Sequence, residues 1–213
     1  MPKLVDHARR RDQIALVACR AVARRGFDRT TVAQIAREAG YTTGMVAHYF
    51  DSKQQIILAA LKLTLQRMDQ RLRAPPTGAR ADLLGVLCEA LPIDAQRRTE
   101  CALWTAFWGQ LQADRQLKRL NTWVHSEYRR LFARCLREHW PDSGQWPAPV
   151  RNQVLRSITT FINGITASAV SSPKDWPASV QIRQLRLQLA MLRQWAAAAR
   201  SGALKGRSAW TSH

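Results

Sequence analysis

Apolar residues along this chain recur at intervals of three and four, and strict alternation of apolar and polar positions is scarce. That is the signature of amphipathic helices, not strands. Ile14, Ala18, Ala21 and Val22 mark a first helix, stopped at Gly26. Ile56, Ala60, Leu61, Leu65, Met68 and Leu72 mark a long fourth one. Leu83, Leu84, Leu87 and Leu91 mark another, ended by Pro92. Two more follow, one through Leu103, Phe107 and Leu111, the next through Leu117, Leu120, Val124, Leu131 and Leu136. Pro141 to Pro149 reads as a loop. Val150, Val154, Ile158, Phe161, Ile162 and Ile165 then carry a helix up to Ser171-Ser172-Pro173. The last helix begins near Pro177 and runs through Ile182, Leu185, Leu189, Leu192 and Trp195. The expected fold class is all-α. The Pro/Gly cluster Arg73-Ala74-Pro75-Pro76-Thr77-Gly78 ends a helix and marks a boundary. The segment 201–213 is basic, contains Gly and Ser, and is expected to fray as a disordered tail.

Composition narrows what such a helical protein can do. The 213 residues carry a formal charge of +18, with a pI near 11.3, a field that attracts polyanions. Residues 1–75 hold 14 basic against 6 acidic side chains, a higher charge density than the remainder. All eight tryptophans lie beyond residue 100. A basic front module and a larger aromatic-rich back module are therefore expected. No apolar run approaches the ~18 residues a membrane span needs, and the first ten residues lack the apolar stretch of a secretory signal. Cys19, Cys88, Cys101 and Cys135 are scattered with no CxxC or Cys/His spacing, which gives no support to a zinc or redox site. A reducing, cytoplasmic location without a membrane partner is the expectation. No nucleophile elbow, HExxH, P-loop or GxGxxG pattern occurs, and His125 and His139 lack metal-ligand partners at helical spacing. The chain is thus expected to be no enzyme, with no catalytic residue, no metal and no cofactor.

The stretch Thr30 to Lys53 carries the positive signal. Thr31 suits the N-cap of a helix over 32–39, because its hydroxyl can accept from the unpaired first-turn N–H groups. Gly40 suits the left-handed position that ends that helix. After Tyr41, Thr42 can cap a second short helix reaching about Tyr49. A helix-turn-helix needs a small residue in its first helix, glycine in the turn, and an apolar residue in the second helix facing back. Ala36, Gly40 and Val46 meet those needs. Val46 and Phe50 then point to the core, while Gly44, Met45 and His48 point away, flanked by Thr43, Ala47 and Tyr49. Gly44 lets the backbone approach DNA closely, and Thr43, His48 and Tyr49 can donate to phosphates or bases. Lys53, opening the next helix, can meet a phosphate there. Arg9-Arg10-Arg11 reads either as a flexible arm for the minor groove or as a solvated basic helix start. The candidate DNA-binding residues are Arg10, Thr31, Thr42, Thr43, Gly44, Met45, His48, Tyr49 and Lys53.

The run from Thr30 to Lys53, with the first helix ending at Gly26-Phe27, resembles the TetR family of bacterial transcriptional regulators over roughly residues 10–60. Gly44-Met45-Val46-Ala47-His48-Tyr49-Phe50, and less closely Leu103 to Trp108, look like its choline-responsive BetI branch. The chain departs from the family at Ala47, where many members carry an aromatic that touches a phosphate. His48 and Tyr49 would have to supply that contact. The resemblance implies a helix-turn-helix DNA-binding domain over 1–53, with a connecting helix to about 75. It implies a helical ligand-binding and dimerisation domain over 76–200. The implied function is a dimeric repressor released from a palindromic double-stranded operator by a small-molecule effector, choline or a related quaternary amine.

The residues of the back module agree in part. The last helix has Leu187 and Met191 off its main apolar stripe, so it is expected to be buried on a second side. A two-fold four-helix interface between subunits would do this, with Ala167, Ser168 and Ala169 allowing close packing, and a thicker monomer core is the alternative. Glu100, Trp104 and Trp108 fall at i, i+4 and i+8 on one helical face, with Phe107 beside them and Trp123 on the next helix. Tryptophan faces attract quaternary ammonium groups, and a carboxylate supplies the neutralising charge. Glu100, Trp104, Phe107, Trp108 and Trp123 are therefore the candidate effector residues. An aromatic stripe packed as core fits the same spacing and is the commoner use of it. A regulator with another effector or none, or a protein coating DNA without regard to sequence, also fits the charge.

Overall fold

The computed structural model describes residues 2–74, 82–110 and 115–201, and their side chains except those of 2–5, 115–117 and 120. The expected tail from 202 onward, Pro75 to Gly78, and the apolar positions Leu111, Leu117 and Leu120 fall outside the described residues or side chains. The described elements are helices, with no strand among them. They are α1 (Pro2–Arg25), α2 (Val32–Ala39), α3 (Thr43–Tyr49), α4 (Lys53–Arg73), α5 (Leu83–Leu87), α6 (Ala95–Trp108), α7 (Arg115–His139), α8 (Ala148–Ser171) and α9 (Ala178–Arg200). Short 3-10 turns sit at Cys88–Ala90 and Pro141–Gln145.

Capping explains most of the boundaries. Gly26 ends α1 at φ 82, with its N–H donating to the Val22 carbonyl at 2.8 Å. Asp82 caps α5 by accepting from the Gly85 N–H at 2.8 Å, and Asp94 caps α6 by accepting from that of Arg97 at 2.7 Å. Asp94 starts α6 two turns before the apolar Leu103 that first marks it in the sequence. The expected loop from Pro141 to Pro149 is instead a 3-10 turn followed by the start of α8. Pro149 lies in the first turn of α8, where its missing N–H costs nothing.

The chain forms two compact units. One comprises 1–73 and 92–120, the other 74–91 and 121–213. The N-terminal unit therefore takes in α6, across the boundary expected near residue 76. Helix α1 is the reason. Ile14, Ala15, Ala18, Ala21 and Val22 are buried along it, and it packs on α2, α4 and α6. In the second unit α8 packs along α9, burying Ile158, Ile162 and Ile165 on one and Leu185, Leu189 and Leu192 on the other. Asp142 of the 3-10 turn accepts from Arg193 and Arg200 of α9, and from the Trp146 indole N–H. Leu187 and Met191 on α9 are each 56% exposed, a degree unusual for large apolar side chains on a packed helix.

Candidate nucleic-acid interface

The helix-turn-helix is written almost wholly in local hydrogen bonds. The Thr31 hydroxyl accepts from the Gln34 N–H at 3.2 Å, and the Gln34 side-chain carbonyl accepts from the Thr31 N–H at 3.0 Å, a reciprocal cap on α2. Gly40 leaves α2 at φ 76, and the Tyr41 N–H closes back on the Ala36 carbonyl at 2.9 Å. Thr42 then caps α3 by accepting from the Met45 N–H at 3.1 Å. Ala36 and Val46 are fully buried where α2 meets α3.

This anchoring decides which side of α3 is free. Thr43, Gly44, Ala47 and His48 are exposed, Met45 is half-buried, and Val46, Tyr49 and Phe50 are buried. Thr31 and Thr42 are exposed as well, with their hydroxyls engaged as caps. The Tyr49 ring lies beneath His7 of α1, with centroids 4.7 Å apart, and His7 stands 6.4 Å from His48. Arg11 donates to the Tyr49 carbonyl and lays its guanidinium 4.2 Å from the centre of the Phe50 ring. The Tyr41 hydroxyl donates to Gln13 at 3.0 Å. Helix α1 thus holds both ends of α3 in place. Residues 9–11 lie inside it and not at its start, with Arg11 tied to α3 in place of a solvated position, and Arg10 pairs with Asp6 at 2.8 Å.

Lys53 is half-buried at the start of α4. Its ammonium donates to the Phe27 carbonyl at 2.6 Å and sits 4.5 Å from the centre of the Phe27 ring. Burial lowers its pKa, and the charge of Asp28 works the other way. Glu38 joins the motif to the end of α1 by accepting from Arg24 and pairing with Arg25 at 2.6 Å. The sequence does not single out Gln34 or His7, and it offers Arg11 only as part of a basic arm or helix start, with no partner on α3. Gln34 stands three residues after Thr31, the spacing of a capping box, so that signal was present. The other two act across 38 or more residues, and only the fold brings them in.

The expected effector residues divide between the two units. Glu100, Trp104, Phe107 and Trp108 are on α6 in the first, Trp123 on α7 in the second. The Glu100 carboxylate is buried and accepts from Arg71 at 2.9 Å and Gln96 at 3.1 Å, with Arg67 at 3.6 Å. The Trp104 indole N–H donates to the buried Thr64 hydroxyl of α4 at 3.0 Å. The Phe107 ring meets Trp104 edge to face at 6.0 Å and is fully buried. Trp108 is half-buried and Trp123 is 37% exposed. The structure therefore brings three of the five together inside the packing of α4 on α6, with protein partners for their polar groups.

Comparison with known proteins gives the same architecture. Residues 14–60 match the family described as bacterial regulatory proteins, tetR family, and residues 79–194 match the BetI-type transcriptional repressor C-terminal family. The chain is 32% identical over 180 residues to the HTH-type transcriptional regulator BetI of Escherichia coli O17:K52:H18, covering 82% of this chain and 89% of that one. A transcriptional regulator from Rhodococcus sp. Rha1 shares its fold with a TM-score of 0.74 and 22% identity, over 87% of this chain and 96% of that one. A regulator from Saccharomonospora viridis in complex with choline has a TM-score of 0.68 and 21% identity, over 84% and 94%. No described helix is long and apolar enough to cross a membrane. With a tetR-type N-terminal motif and a BetI-type domain spanning more than half its length, this chain belongs to the TetR family, as a transcriptional repressor of the BetI type.

Proposed function

We propose that the protein works in the cytoplasm as a homodimer on a palindromic operator, and releases it when a small molecule binds. The observation that carries this reading is α3. Its apolar side is pinned by Val46, Tyr49 and Phe50, and its outer side presents Thr43, Gly44, Ala47 and His48 with nothing larger in the way. Thr43, Gly44 and His48 read base edges and adjacent phosphates, with Met45 at their margin. Thr31, Thr42, Tyr49, Lys53 and Arg10 surround this surface and supply backbone contacts or hold it in register. Exposed Leu187 and Met191 on α9 support pairing of two copies, which a palindromic site requires.

Choline or a related quaternary amine is the first effector to test, given the BetI-type domain and the choline complex of the Saccharomonospora viridis regulator. Trp123 is the candidate that keeps the most exposed surface for a cation, whereas Glu100, Trp104 and Phe107 are engaged in the packing of α4 on α6. The test is fluorescence anisotropy of a labelled operator, with scrambled duplex as competitor and choline as titrant. Specific binding should survive the competitor, and choline should weaken it by roughly 5- to 150-fold, the usual range of allosteric coupling. Equal affinity for scrambled duplex would replace this reading with non-specific coating. Intact operator binding without a choline response would leave a sequence-specific regulator with another effector or none.

A further inference from the structure

A solvent-open cavity of about 410 Å³ lies in the N-terminal unit, between α1, α4 and α6. Leu16, Cys19 and Arg20 line it from α1, Arg67 from α4, and Ala95, Gln96, Thr99 and Glu100 from α6. Its charges are unbalanced. Glu100 is its acidic group, already served by Arg71 and Gln96. Among the described residues, the ion pair that Arg67 makes is the longer 3.6 Å approach to the same carboxylate. Arg20 bonds back to its own helix, at 3.4 Å from the Leu16 carbonyl, and pairs with no carboxylate among the described residues. Burial and the nearby charge of Glu100 push the Cys19 thiol up to about 12, so it brings no negative charge. Two adjoining grooves share Arg20 and are flanked by Arg24, Arg25 and Arg98, with Glu38 already taken by Arg24 and Arg25.

We infer that this cavity is a binding site for a small organic monocarboxylate, held by Arg20 and Arg67 with its short apolar body against Leu16, Cys19 and Ala95. A guanidinium whose donors are not used up is the natural partner of a carboxylate, because its planar fork matches the two oxygens. The volume is at the low end for ligand sites, so the ligand is small. Binding transfers Arg67 from Glu100 to the ligand, which Glu100 tolerates because Arg71 and Gln96 remain. The same event ties α1 to α4 and α6. Since α1 holds α3 through Arg11 and Gln13, occupancy is expected to change operator affinity, and that last step rests on the repressor reading above.

The probe is butyrate, against its neutral isostere butyramide, on the full chain in carboxylate-free buffer. Titration calorimetry and thermal melting should show saturable butyrate binding with a Kd on the order of 1 mM, reasonable for a ligand of about six non-hydrogen atoms. Butyramide should show none. Arg20→Gln, at an exposed side chain, should weaken binding by roughly tenfold, and Arg67→Gln by at least as much, the loss of one charge-assisted contact. No saturation by roughly 10 mM butyrate, an equal response to butyramide, or unchanged binding in Arg20→Gln would each overturn the site. Operator affinity is read separately by anisotropy. An operator that binds no better than scrambled duplex sinks the repressor reading alone and leaves the calorimetric result to decide the cavity.

Discussion

Helices α3 and α6 sit in the same compact unit, and both carry residues whose spacing first suggested contact with a ligand. They use those residues in opposite ways. On α3 the apolar positions Val46 and Tyr49 are spent on anchoring, so Thr43, Gly44 and His48 face outward. On α6 the polar groups themselves are consumed. Glu100 meets Arg71 and Arg67, and the Trp104 indole meets Thr64. A helix seven residues long with exposed polar groups is available for contact, and a longer one with its polar groups satisfied is a strut. The difference lies less in residue type than in what the opposite element offers. Opposite α6 stands α4 with two arginines and a threonine. On the outward side of α3, Thr43, Gly44 and Ala47 are exposed, and the His7 ring of α1 stands beside His48.

The sharpest way to break this comparison is Glu100→Ala. If Glu100 is a strut residue, its removal leaves Arg67 and Arg71 facing a buried site with no carboxylate. Both arginines keep partial exposure, so losing their buried partner costs about 1–3 kcal/mol, below the figure for a wholly buried pair. Urea unfolding should show that loss in full, with or without any effector present. A variant that unfolds like the parent while losing only its response to a ligand would return Glu100 to the role of a cation-binding carboxylate.

On the other side of the comparison, His48→Ala should leave unfolding unchanged, because the ring is exposed. Operator affinity should fall by about 1–3 kcal/mol, the worth of a good base contact, roughly 5- to 150-fold. The fall should be specific, with affinity for scrambled duplex nearly unaltered. Unaltered operator binding would remove His48 from the recognition surface and pass its role to Thr43 and the α3 backbone.

The two glycines of the motif separate fold from function more finely. Gly40 sits at φ 76 with no atom within 4 Å of where a Cβ would stand, so Gly40→Ala meets only backbone strain. That costs about 1–2 kcal/mol of stability. Gly44 is in the helix, and a Cβ there would reach the Thr42 hydroxyl oxygen at an ordinary 4.0 Å. Gly44→Ala should therefore stabilise the fold by up to about 1 kcal/mol while weakening the operator complex, because the methyl stands where DNA must approach. Melting and anisotropy measured together test this. Parallel changes in both readouts for both variants would mean that α3 has no distinct outer surface.

The same contrast sets what could be read from the sequence. The helix-turn-helix was legible because its instructions are local. Thr31, Gly40, Thr42 and Val46 act within the motif itself, through caps, a left-handed turn and one buried side chain. The α6 face was legible only as a face. Its spacing put Glu100, Trp104 and Trp108 together, but the partners that decide their use, Thr64, Arg67 and Arg71, lie 29 to 40 residues away on another helix. Arg67 and Arg71 share one side of α4, and no rule of spacing assigns that side to Glu100. His7 was missed for a similar reason. It lies four turns before the end of the first helix's apolar pattern, and only the packing of α1 on α3 carries its ring over Tyr49.

The smallest expected effect concerns Glu38, where the recognition module is tied to the end of α1. Burial alone would raise this carboxyl, but hydrogen bonds from Arg25 and Arg24, with their charges, overturn that and hold it below its ordinary value of 4.5. A carboxyl whose folded pKa is depressed contributes stability above its unfolded pKa and loses it as pH falls through the folded one. Glu38→Gln should therefore cost about 0.2–1 kcal/mol at pH 7, since both arginines are partly exposed and screened. The difference from the parent should shrink from about pH 4.5 downward and vanish in stronger acid. Added salt should shrink it at neutral pH as well. Paired urea titrations across that range measure it. A gap that stays constant with pH would show that Glu38 acts through packing, and that the recognition module is fastened to α1 by Arg11 and Gln13 instead.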